Sequence, residues 1–137
     1  SKGPQADLID LAPNMIGEPT LPQTTVIPHV DLVITHGGNN TTTECLHFGK
    51  PMVLLPLFWD QYDNAQRMDE LGFGTRLATY GFTDAELTDA VDALFADKKL
   101  LASMDAIGES IRGRDGLRTG ADVIERVARD HRESTPS

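Results

Sequence analysis

Several features that mark particular classes of protein are scarce or missing in this chain of 137 residues. The single cysteine, Cys45, cannot form a disulfide within the chain, which fits a reducing compartment, and we expect a cytoplasmic protein. Aromatic residues make up 6% of the chain, which is ordinary to slightly low for a globular domain. The longest apolar stretch, Pro51 to Trp59, is too short to cross a bilayer, so the sequence predicts no integral membrane segment.

Positive charge is also scarce. Lysine and arginine number 12 against 21 aspartate and glutamate residues, which gives a formal net charge of -9. No basic patch is therefore available to neutralise a phosphate backbone or an anionic membrane, and we expect no nucleic-acid partner. If this acidic chain binds a phosphate, it must do so locally, through oriented backbone amides.

The first half of the chain alternates between apolar, β-branched segments and helical segments. Pro22 and Pro28 bracket a loop that has room for one helical turn. The elements predicted after it are a strand over Asp31 to Thr35, a helix from about Asn40 to Phe48 ended by Gly49, a strand over Met52 to Leu55, and a helix over Gln61 to Leu71 ended by Gly72. This alternation predicts an α/β fold with a parallel sheet and right-handed crossovers.

From Thr83 onward the sequence is wholly helical. Thr83 and Glu86 have the spacing of a capping box. Three apolar stripes at helical spacing are predicted to pack into the core: Leu87, Ala90, Val91, Leu94 and Phe95; Leu100, Met104, Ile107 and Ile111; and Val123, Ile124, Val127 and Ala128. We place one domain over residues 1–131 and a disordered tail over residues 132–137.

The most informative motif is HGGNNTTTE, from His36 to Glu44, where the first predicted strand meets the helix that follows it. Gly37 and Gly38 allow a tight turn and a close approach of the backbone to a ligand. The first amides of the helix have no acceptor within it, so the helix start can bind an anion. The motif therefore predicts a phosphate site with Asn40 at the helix tip and His36 beside it.

Glu44 lies four residues after Asn40, so the two side chains share one face of the helix. With a phosphate at the helix tip, the Glu44 carboxylate would lie one turn deeper and could accept hydrogen bonds from both hydroxyls of a ribose. Each residue also has an ordinary interpretation: the glycines as a plain turn, Asn40 or Thr41 as the helix N-cap, and Glu44 as a solvated residue. Their combination at one strand end favours binding of a nucleoside diphosphate.

Asp60 and Gln61 follow the second predicted strand, and the carboxyl ends of parallel strands meet at one edge of the sheet. A carboxylate beside an amide suits recognition of sugar hydroxyls, because the carboxylate accepts and the amide also donates. Asp60 could instead cap the next helix. Trp59, the only tryptophan, has two interpretations, as part of a sugar or acceptor pocket and as a core residue.

With these motifs the segment from Leu21 to Gly74 resembles the carboxyl-terminal, donor-binding domain of UDP-dependent glycosyltransferases of the GT-B fold (UDP-glycosyltransferase family 1-like). The matching motifs, in family order, are LPQ from Leu21, IPHVD from Ile27, THGG from Thr35, Asn40-Thr41, Glu44, GKPM from Gly49 and Asp60-Gln61. The resemblance implies a Rossmann-like, three-layer α/β/α domain that is only partly contained in this chain. Thr20 and Asn39 replace tryptophans that are common in plant members, which leaves a strict preference for uridine open.

By that resemblance the chain binds the UDP-sugar donor of a glycosyltransferase that moves a glucose-like hexose to an acceptor hydroxyl. The implied donor-binding residues are Leu21 and Gln23 at the base and ribose, His36, Gly37, Gly38, Asn40 and Thr41 at the pyrophosphate, Glu44 at the ribose, and Asp60 and Gln61 at the sugar. His36 is the implied catalytic group, through stabilisation of the leaving diphosphate. The resemblance implies an inverting reaction without a metal or a cofactor, since the UDP-sugar is a substrate.

The resemblance further implies that the acceptor, a small molecule or a lipid, and the general base are held by an amino-terminal domain outside this chain. The chain alone would then be inactive. Two alternatives are a non-catalytic nucleotide-sugar-binding subunit of a split transferase and a Rossmann-like scaffold without a ligand. A dinucleotide-binding dehydrogenase is disfavoured, because no G-x-G-x-x-G follows a strand.

Overall fold

A computed structural model describes residues 10–133 of the chain. Its helices are α1 (Gln23–Val26), α2 (Asn39–Phe48), α3 (Asp60–Glu70), α4 (Asp84–Ala96), α5 (Lys98–Arg112) and α6 (Gly116–Glu133), and a 3-10 turn covers Ile27–His29. Its strands are β1 (Val33–Thr35), β2 (Met52–Leu54) and β3 (Gly74–Arg76). Gly49 and Gly72 follow α2 and α3 with φ angles of 67° and 70°, as expected of helix-ending glycines.

The three strands form a parallel sheet in the order β1-β2-β3. Val33 pairs with Met52, and Met52 pairs with Gly74. Helix α2 connects β1 to β2, and α3 connects β2 to β3, which is the kind of crossover that parallel strands require. The predicted alternation of strands and helices in the first half of the chain is therefore confirmed.

The central strand β2 is fully buried, and its alternate residues enter two different hydrophobic clusters. Met52 and Leu54 pack with residues of α2 and α3, namely Cys45, Ala65 and Met68. Val53 packs with residues of α4 and α5, namely Ala90, Leu94, Leu100 and Met104. Because alternate residues of a strand face opposite sides of the sheet, helices cover both faces. The arrangement is the Rossmann-like, three-layer α/β/α fold that the resemblance implied.

The short third strand escapes prediction, because Gly74, Thr75 and Arg76 show no apolar alternation. Gly74 is required for steric reasons, since a Cβ atom there would collide with the carbonyl oxygen of Met52 on the neighbouring strand. The strand is also held by α3, because Asp69 Oδ1 accepts a 3.1 Å hydrogen bond from the Arg76 amide. The first reason involves a neighbouring strand that is distant in sequence, and neither reason shows as an apolar pattern.

Helix α4 begins with the predicted capping box. Thr83 Oγ1 accepts a 3.2 Å hydrogen bond from the Glu86 amide, and the Glu86 carboxylate accepts one of 2.7 Å from the Thr83 amide. The backbone hydrogen bond, together with one from the Thr83 hydroxyl, lowers the pKa of the Glu86 carboxyl below its usual value. Both helices of this layer are capped, since Asp97 accepts hydrogen bonds from the first amides of α5.

The third apolar stripe is not part of the core, and the prediction that it packs there is wrong. Val123, Ile124, Val127 and Ala128 of α6 are all exposed. The helical period identifies an apolar face, but it carries no information on what covers that face. Although α6 is 18 residues long, neither it nor another helix within residues 10–133 is apolar enough to cross a membrane.

The predicted disordered tail over residues 132–137 overlaps the end of α6. The helix continues to Glu133, two residues into that segment. The last four residues, 134–137, lie outside the described part of the chain, so the disorder predicted for them stays a prediction.

Candidate functional site

The two predicted half-sites adjoin at the carboxyl ends of β1 and β2. Gly37 follows β1 with a φ of 82°, a left-handed conformation that favours glycine. A Cβ atom at Gly37 would lie 3.3 Å from the carbonyl oxygen of Gln61 and 3.3 Å from Leu54 Cδ2. The turn after β1 therefore packs directly against the first turn of α3, as expected for one edge of a parallel sheet.

The start of α2 is open to a ligand. Its N-cap is Gly38, which has no side chain to accept a hydrogen bond from the helix. The first intrahelical bond is donated by the Thr42 amide to the Gly38 carbonyl at 3.0 Å, so the earlier amides have no acceptor within the helix. The alternative in which Asn40 or Thr41 is the N-cap is wrong, since both lie inside α2. A helix end of this kind is a favourable position for an anion.

The His36 side chain lies next to Gly38, the N-cap residue of α2. A Cβ atom added to Gly38 would lie only 2.7 Å from His36 Nε2. The imidazole is therefore packed against the Gly38 backbone, and glycine is the residue that leaves room for it. His36 itself is exposed, so the ring lies between the helix start and solvent.

A side chain from α1 bridges two residues of α2. Gln23 Nε2 donates 2.7 Å hydrogen bonds to both Thr41 Oγ1 and Glu44 Oε2. Thr41 and Glu44 lie three residues apart on α2, so Gln23 bridges one face of this helix. The bond orients the Glu44 carboxylate through Oε2, and no residue within 10–133 donates to its second oxygen, Oε1.

These residues line one cleft of about 490 Å³. Its lining consists of Gln23, His36, Gly38, Asn39, Asn40, Thr41 and Glu44. It contains one carboxylate and neither lysine nor arginine, so an anion there would be held by backbone amides, side-chain amides and hydroxyls, and His36. Leu21 lies in an adjoining cleft of about 670 Å³ that shares Gln23, His36 and Thr41 with the first.

Asp60 and Gln61 differ in what they offer to a ligand. Gln61 is only 5% exposed, and its Oε1 accepts hydrogen bonds from the amides of Leu57 and Phe58, at 2.9 and 3.3 Å. Its carbonyl is thus used to hold the loop, and Nε2 is the side-chain group without a hydrogen bond among the described residues. Asp60 is exposed at the first position of α3, whose N-cap is Trp59, so the interpretation of Asp60 as a cap is wrong.

Asn64 is a site residue that sequence reasoning missed. Its Nδ2 donates 2.9 Å hydrogen bonds to the Gly37 carbonyl and to Asn39 Oδ1, and it lies 3.5 Å from Asp60 Oδ2. Asn64 therefore ties the Gly37 turn and the start of α2 to the helix that carries Asp60. The one signal in the sequence was its spacing of four residues from Asp60, which places both on one face of α3.

Trp59 is not a core residue, since it is 84% exposed. Cys45, in contrast, is fully buried within α2, and burial raises the pKa of its thiol to about 12. Cys45 is thus a packing residue. Within residues 10–133 no group of three or more histidine, cysteine, aspartate or glutamate side chains is close enough together to hold a metal ion.

Comparison with known proteins agrees with this geometry. A family model described as UDP-glucoronosyl and UDP-glucosyl transferase matches residues 7–104. The chain is 34% identical over 118 residues to NDP-glycosyltransferase YjiC of Bacillus subtilis (strain 168), a match that covers 86% of this chain and 30% of that protein. It is 40% identical over 91 residues to UDP-glucuronosyltransferase 1A9 of Homo sapiens, which covers 65% of this chain and 17% of that protein.

Solved structures give the same result. The glycotransferase of kitacinnamycin matches with a TM-score of 0.78 and 32% identity, over 88% of this chain and 31% of that one. The calicheamicin glycosyltransferase CalG4 matches with a TM-score of 0.77 and 29% identity, over 95% and 34%. The chain therefore spans between 17% and 34% of the length of these relatives. From its motifs, its fold and these matches, the chain belongs to the UDP-glucoronosyl and UDP-glucosyl transferase family of GT-B glycosyltransferases.

Proposed function

We propose that this chain binds the UDP-sugar donor of a glycosyltransferase that moves a glucose-like hexose to an acceptor hydroxyl. The observation that carries the proposal is the convergence of Gln23, His36, the uncapped start of α2 and Glu44 on one cleft. A diphosphate needs hydrogen-bond donors, and a ribose needs a fixed acceptor about one helical turn away. The cleft offers the donors at the start of α2 and the acceptor, Glu44, further along the same helix.

Each part of the donor then has its own group of residues. The pyrophosphate lies at the start of α2, where it meets the Asn40 and Thr41 amides and His36. The ribose hydroxyls donate to Glu44, whose orientation is fixed by Gln23. The base lies against the backbone near Leu21, in the adjoining cleft.

The sugar lies towards Asp60 and Gln61. The Asp60 carboxylate is exposed and accepts hydrogen bonds from sugar hydroxyls, while the Gln61 amide donates through Nε2. Asn64 holds Asp60 next to the Gly37 turn and so keeps the sugar site in a fixed relation to the pyrophosphate site.

In the proposed reaction the acceptor oxygen attacks the anomeric carbon of the donor, the bond from that carbon to the diphosphate oxygen breaks, and UDP leaves with inversion. Negative charge grows on the diphosphate in the transition state. Donors fixed at that position lower the barrier, because they stabilise the transition state more than the ground state. His36 and the start of α2 supply these donors without a metal or a cofactor. The general base and the body of the acceptor site are expected outside this chain, which alone would not turn over substrate.

Titration of UDP into this chain by calorimetry tests the donor site. We expect binding that weakens by roughly tenfold in His36→Ala, the size of one charge-assisted hydrogen bond. His29→Ala is the matched control, since His29 is also exposed but lies outside the lining of both clefts. A chain that is folded by circular dichroism and yet fails to bind millimolar UDP would overturn the proposal.

The leaving-group role has its own test in the complete transferase. His36→Ala is expected to lower kcat by about 10² to 10³, the effect of losing one donor at a comparable oxyanion site. An unchanged kcat with weaker donor binding alone would limit His36 to ground-state binding.

A further inference from the structure

Large apolar side chains are exposed where β2 ends. Leu57, Phe58 and Trp59 are 43%, 51% and 84% exposed, although they are consecutive and lie within a few residues of fully buried β2. The loop after β3 is tied to the same place, because Thr79 Oγ1 donates a 2.6 Å hydrogen bond to the Pro56 carbonyl, and the next residue, Tyr80, is also 84% exposed. Exposed apolar side chains that cluster in this way mark binding surfaces.

The backbone at Trp59 is strained. Its φ of 52° makes it the one non-glycine residue with a positive φ within residues 10–133, and its ψ is -131°. The backbone amide of Gln61 donates to the backbone carbonyl of Phe58 at 3.3 Å. Trp59 therefore occupies the first central position of a type II′ turn, where glycine is normally found. A large residue in such a conformation costs about 1–3 kcal/mol, and strain of this kind concentrates at functional sites.

Packing within the chain does not explain the strain. The described contact of the indole is an edge-to-face contact with Phe58, with ring centroids 5.3 Å apart. Burial cannot offset the strain, since most of the side chain is in solvent. A ligand that covers the indole would supply the missing contacts.

The exposed residues Leu57, Phe58, Trp59 and Tyr80 form an apolar patch. The position of this patch indicates which ligand covers the indole. Leu57 and Thr79 line the same cleft as Leu21, Gln23 and His36, so the patch is continuous with the donor site. Asp60, which follows Trp59 directly, is the residue placed at the donor sugar. The patch therefore adjoins the position at which the sugar is transferred.

We propose that Trp59, supported by Phe58, is a specificity-determining residue that stacks on a flat, apolar acceptor bearing the reacting hydroxyl. This inference rests on the proposed donor-binding function. An indole face suits an aromatic or polycyclic body, because offset stacking and removal of apolar area from water both favour it. A free hexose offers less apolar surface, and its hydroxyls are served by the neighbouring carboxylate and amide.

The experiment uses Trp59 itself as the reporter, since it is the only tryptophan of the chain. The probe is 4-methylumbelliferone, a planar phenol, titrated into the full chain in the presence of saturating UDP. We expect saturable quenching of tryptophan emission, and calorimetry of the same mixture gives the affinity. Glucose, titrated as a control, is expected to leave the emission unchanged, and saturable quenching by glucose instead would assign the indole to the donor sugar and overturn the proposal.

Two variants separate a binding role from a structural role. Trp59→Gly restores the residue that the turn prefers, so the protein is expected to become more stable to urea while its affinity for 4-methylumbelliferone falls on the order of tenfold. Trp59→Phe keeps an aromatic face and should retain most of the affinity. Leu117→Ala is the control, since Leu117 is 91% exposed in α6, away from the site.

Equal affinity for the probe in the wild type and in Trp59→Gly, or no measurable binding by the wild type, would overturn the proposal. UDP binding is measured separately in each variant and should not change by more than about twofold. A chain that binds UDP but not the probe refutes this inference alone, whereas a chain that does not bind UDP refutes the donor site.

Discussion

Single residues of the site act through their neighbours, and Gly38 is the clearest example. The imidazole of His36 packs against Gly38, and its Nε2 would be 2.7 Å from a Cβ atom added there. Gly38 has an ordinary φ of -65°, so its backbone admits a larger residue, and an added Cβ atom would displace the exposed imidazole from the helix start. The role of this second glycine is thus to let His36 lie against the helix start.

A double-mutant cycle tests this coupling. Gly38→Ala is expected to weaken UDP binding roughly as much as His36→Ala does, because the added methyl displaces the imidazole. In a His36→Ala background the same substitution should have little further effect. Calorimetry of the four proteins gives the coupling energy, and strictly additive losses would show that Gly38 acts independently of His36.

Cys45 gives a prediction on pH. Its thiol has a pKa of about 12 in the folded chain against an ordinary value of 9.0, raised by burial and then by the charge of Glu44. Between these two values the unfolded chain loses a proton that the folded chain keeps, so the free energy of unfolding falls as the pH rises from 9 towards 12. Urea titrations should show a steeper fall in the wild type than in Cys45→Ala, which has no thiol but keeps the lysines and tyrosines that also titrate there. Identical slopes would place the thiol in contact with solvent.

Residue types alone did not decide which atoms of the site are free. The sequence predicted that Asp60 and Gln61 lie at the edge formed by the carboxyl ends of the strands, and both lie at the start of α3 beside the Gly37 turn. It did not predict that Gln61 Oε1 is used by the Leu57 and Phe58 amides, because that depends on the path of the loop. Asn64 was missed for a similar reason, since its partners are 25 and 27 residues away along the chain.

At the scale of helices and strands, α5 crosses the end of α2 closely enough to bring backbone atoms near Gly108. Gly108 is buried in the middle of α5, and a Cβ atom there would lie 2.9 Å from the Gly49 amide nitrogen and 3.1 Å from the His47 carbonyl oxygen. Arg112, one turn later, donates to the same carbonyl. The two helices approach each other closely because Gly49 and Gly108 lie at their contact.

Gly108→Ala is therefore expected to destabilise the protein by about 1–3 kcal/mol, the usual effect of forcing a methyl group into packed structure. Gly120→Ala provides a matched control in α6, where nothing lies within 4 Å of an added Cβ atom. Since alanine is the better helix former, that control should gain up to about 1 kcal/mol. Urea unfolding measures both, and a gain in stability for Gly108→Ala would show that α5 and α2 lie further apart than the structure places them.

Elements with strong local signals were the ones predicted correctly. The capping box at Thr83 and the glycine at position 49 are local signals, and both helices end or begin where they indicate. β3 has no such signal. Its residues form a strand because Gly74 fits against Met52 of the neighbouring strand and because Asp69 of α3 binds the Arg76 amide, and neither contact leaves an apolar alternation in the sequence.

At the scale of the whole molecule, the described chain divides into a packed α/β body and the exposed helix α6. Leu94 in the stripe of α4 and Leu100 and Met104 in the stripe of α5 are buried, but Ile124 of α6 is 71% exposed. The two kinds of stripe look alike in sequence. Only the buried ones contribute apolar burial to the stability of this chain.

The contrast predicts different effects for the same kind of truncation. Leu94→Ala is expected to lower the free energy of unfolding by about 2–5 kcal/mol, as for other buried large-to-small changes. Ile124→Ala should change it by less than about 0.5 kcal/mol, the usual range for surface positions. Urea unfolding of a chain shown to be monomeric by light scattering measures both. A loss above about 1 kcal/mol for Ile124→Ala would mean that α6 is covered in solution.

The sequence by itself determined the order of the first strands and helices, the glycine turn, the helix start that follows it and the family, because these depend on local backbone preferences and on short motifs. The tertiary structure decided how the separate segments meet: the bridge from Gln23 to Glu44, the tie from Asn64 to the Gly37 turn, and the exposure of Trp59 and α6. The reason is that burial and hydrogen bonding depend on residues that are far apart in the chain, and a motif states which groups are present without stating which neighbours already occupy them.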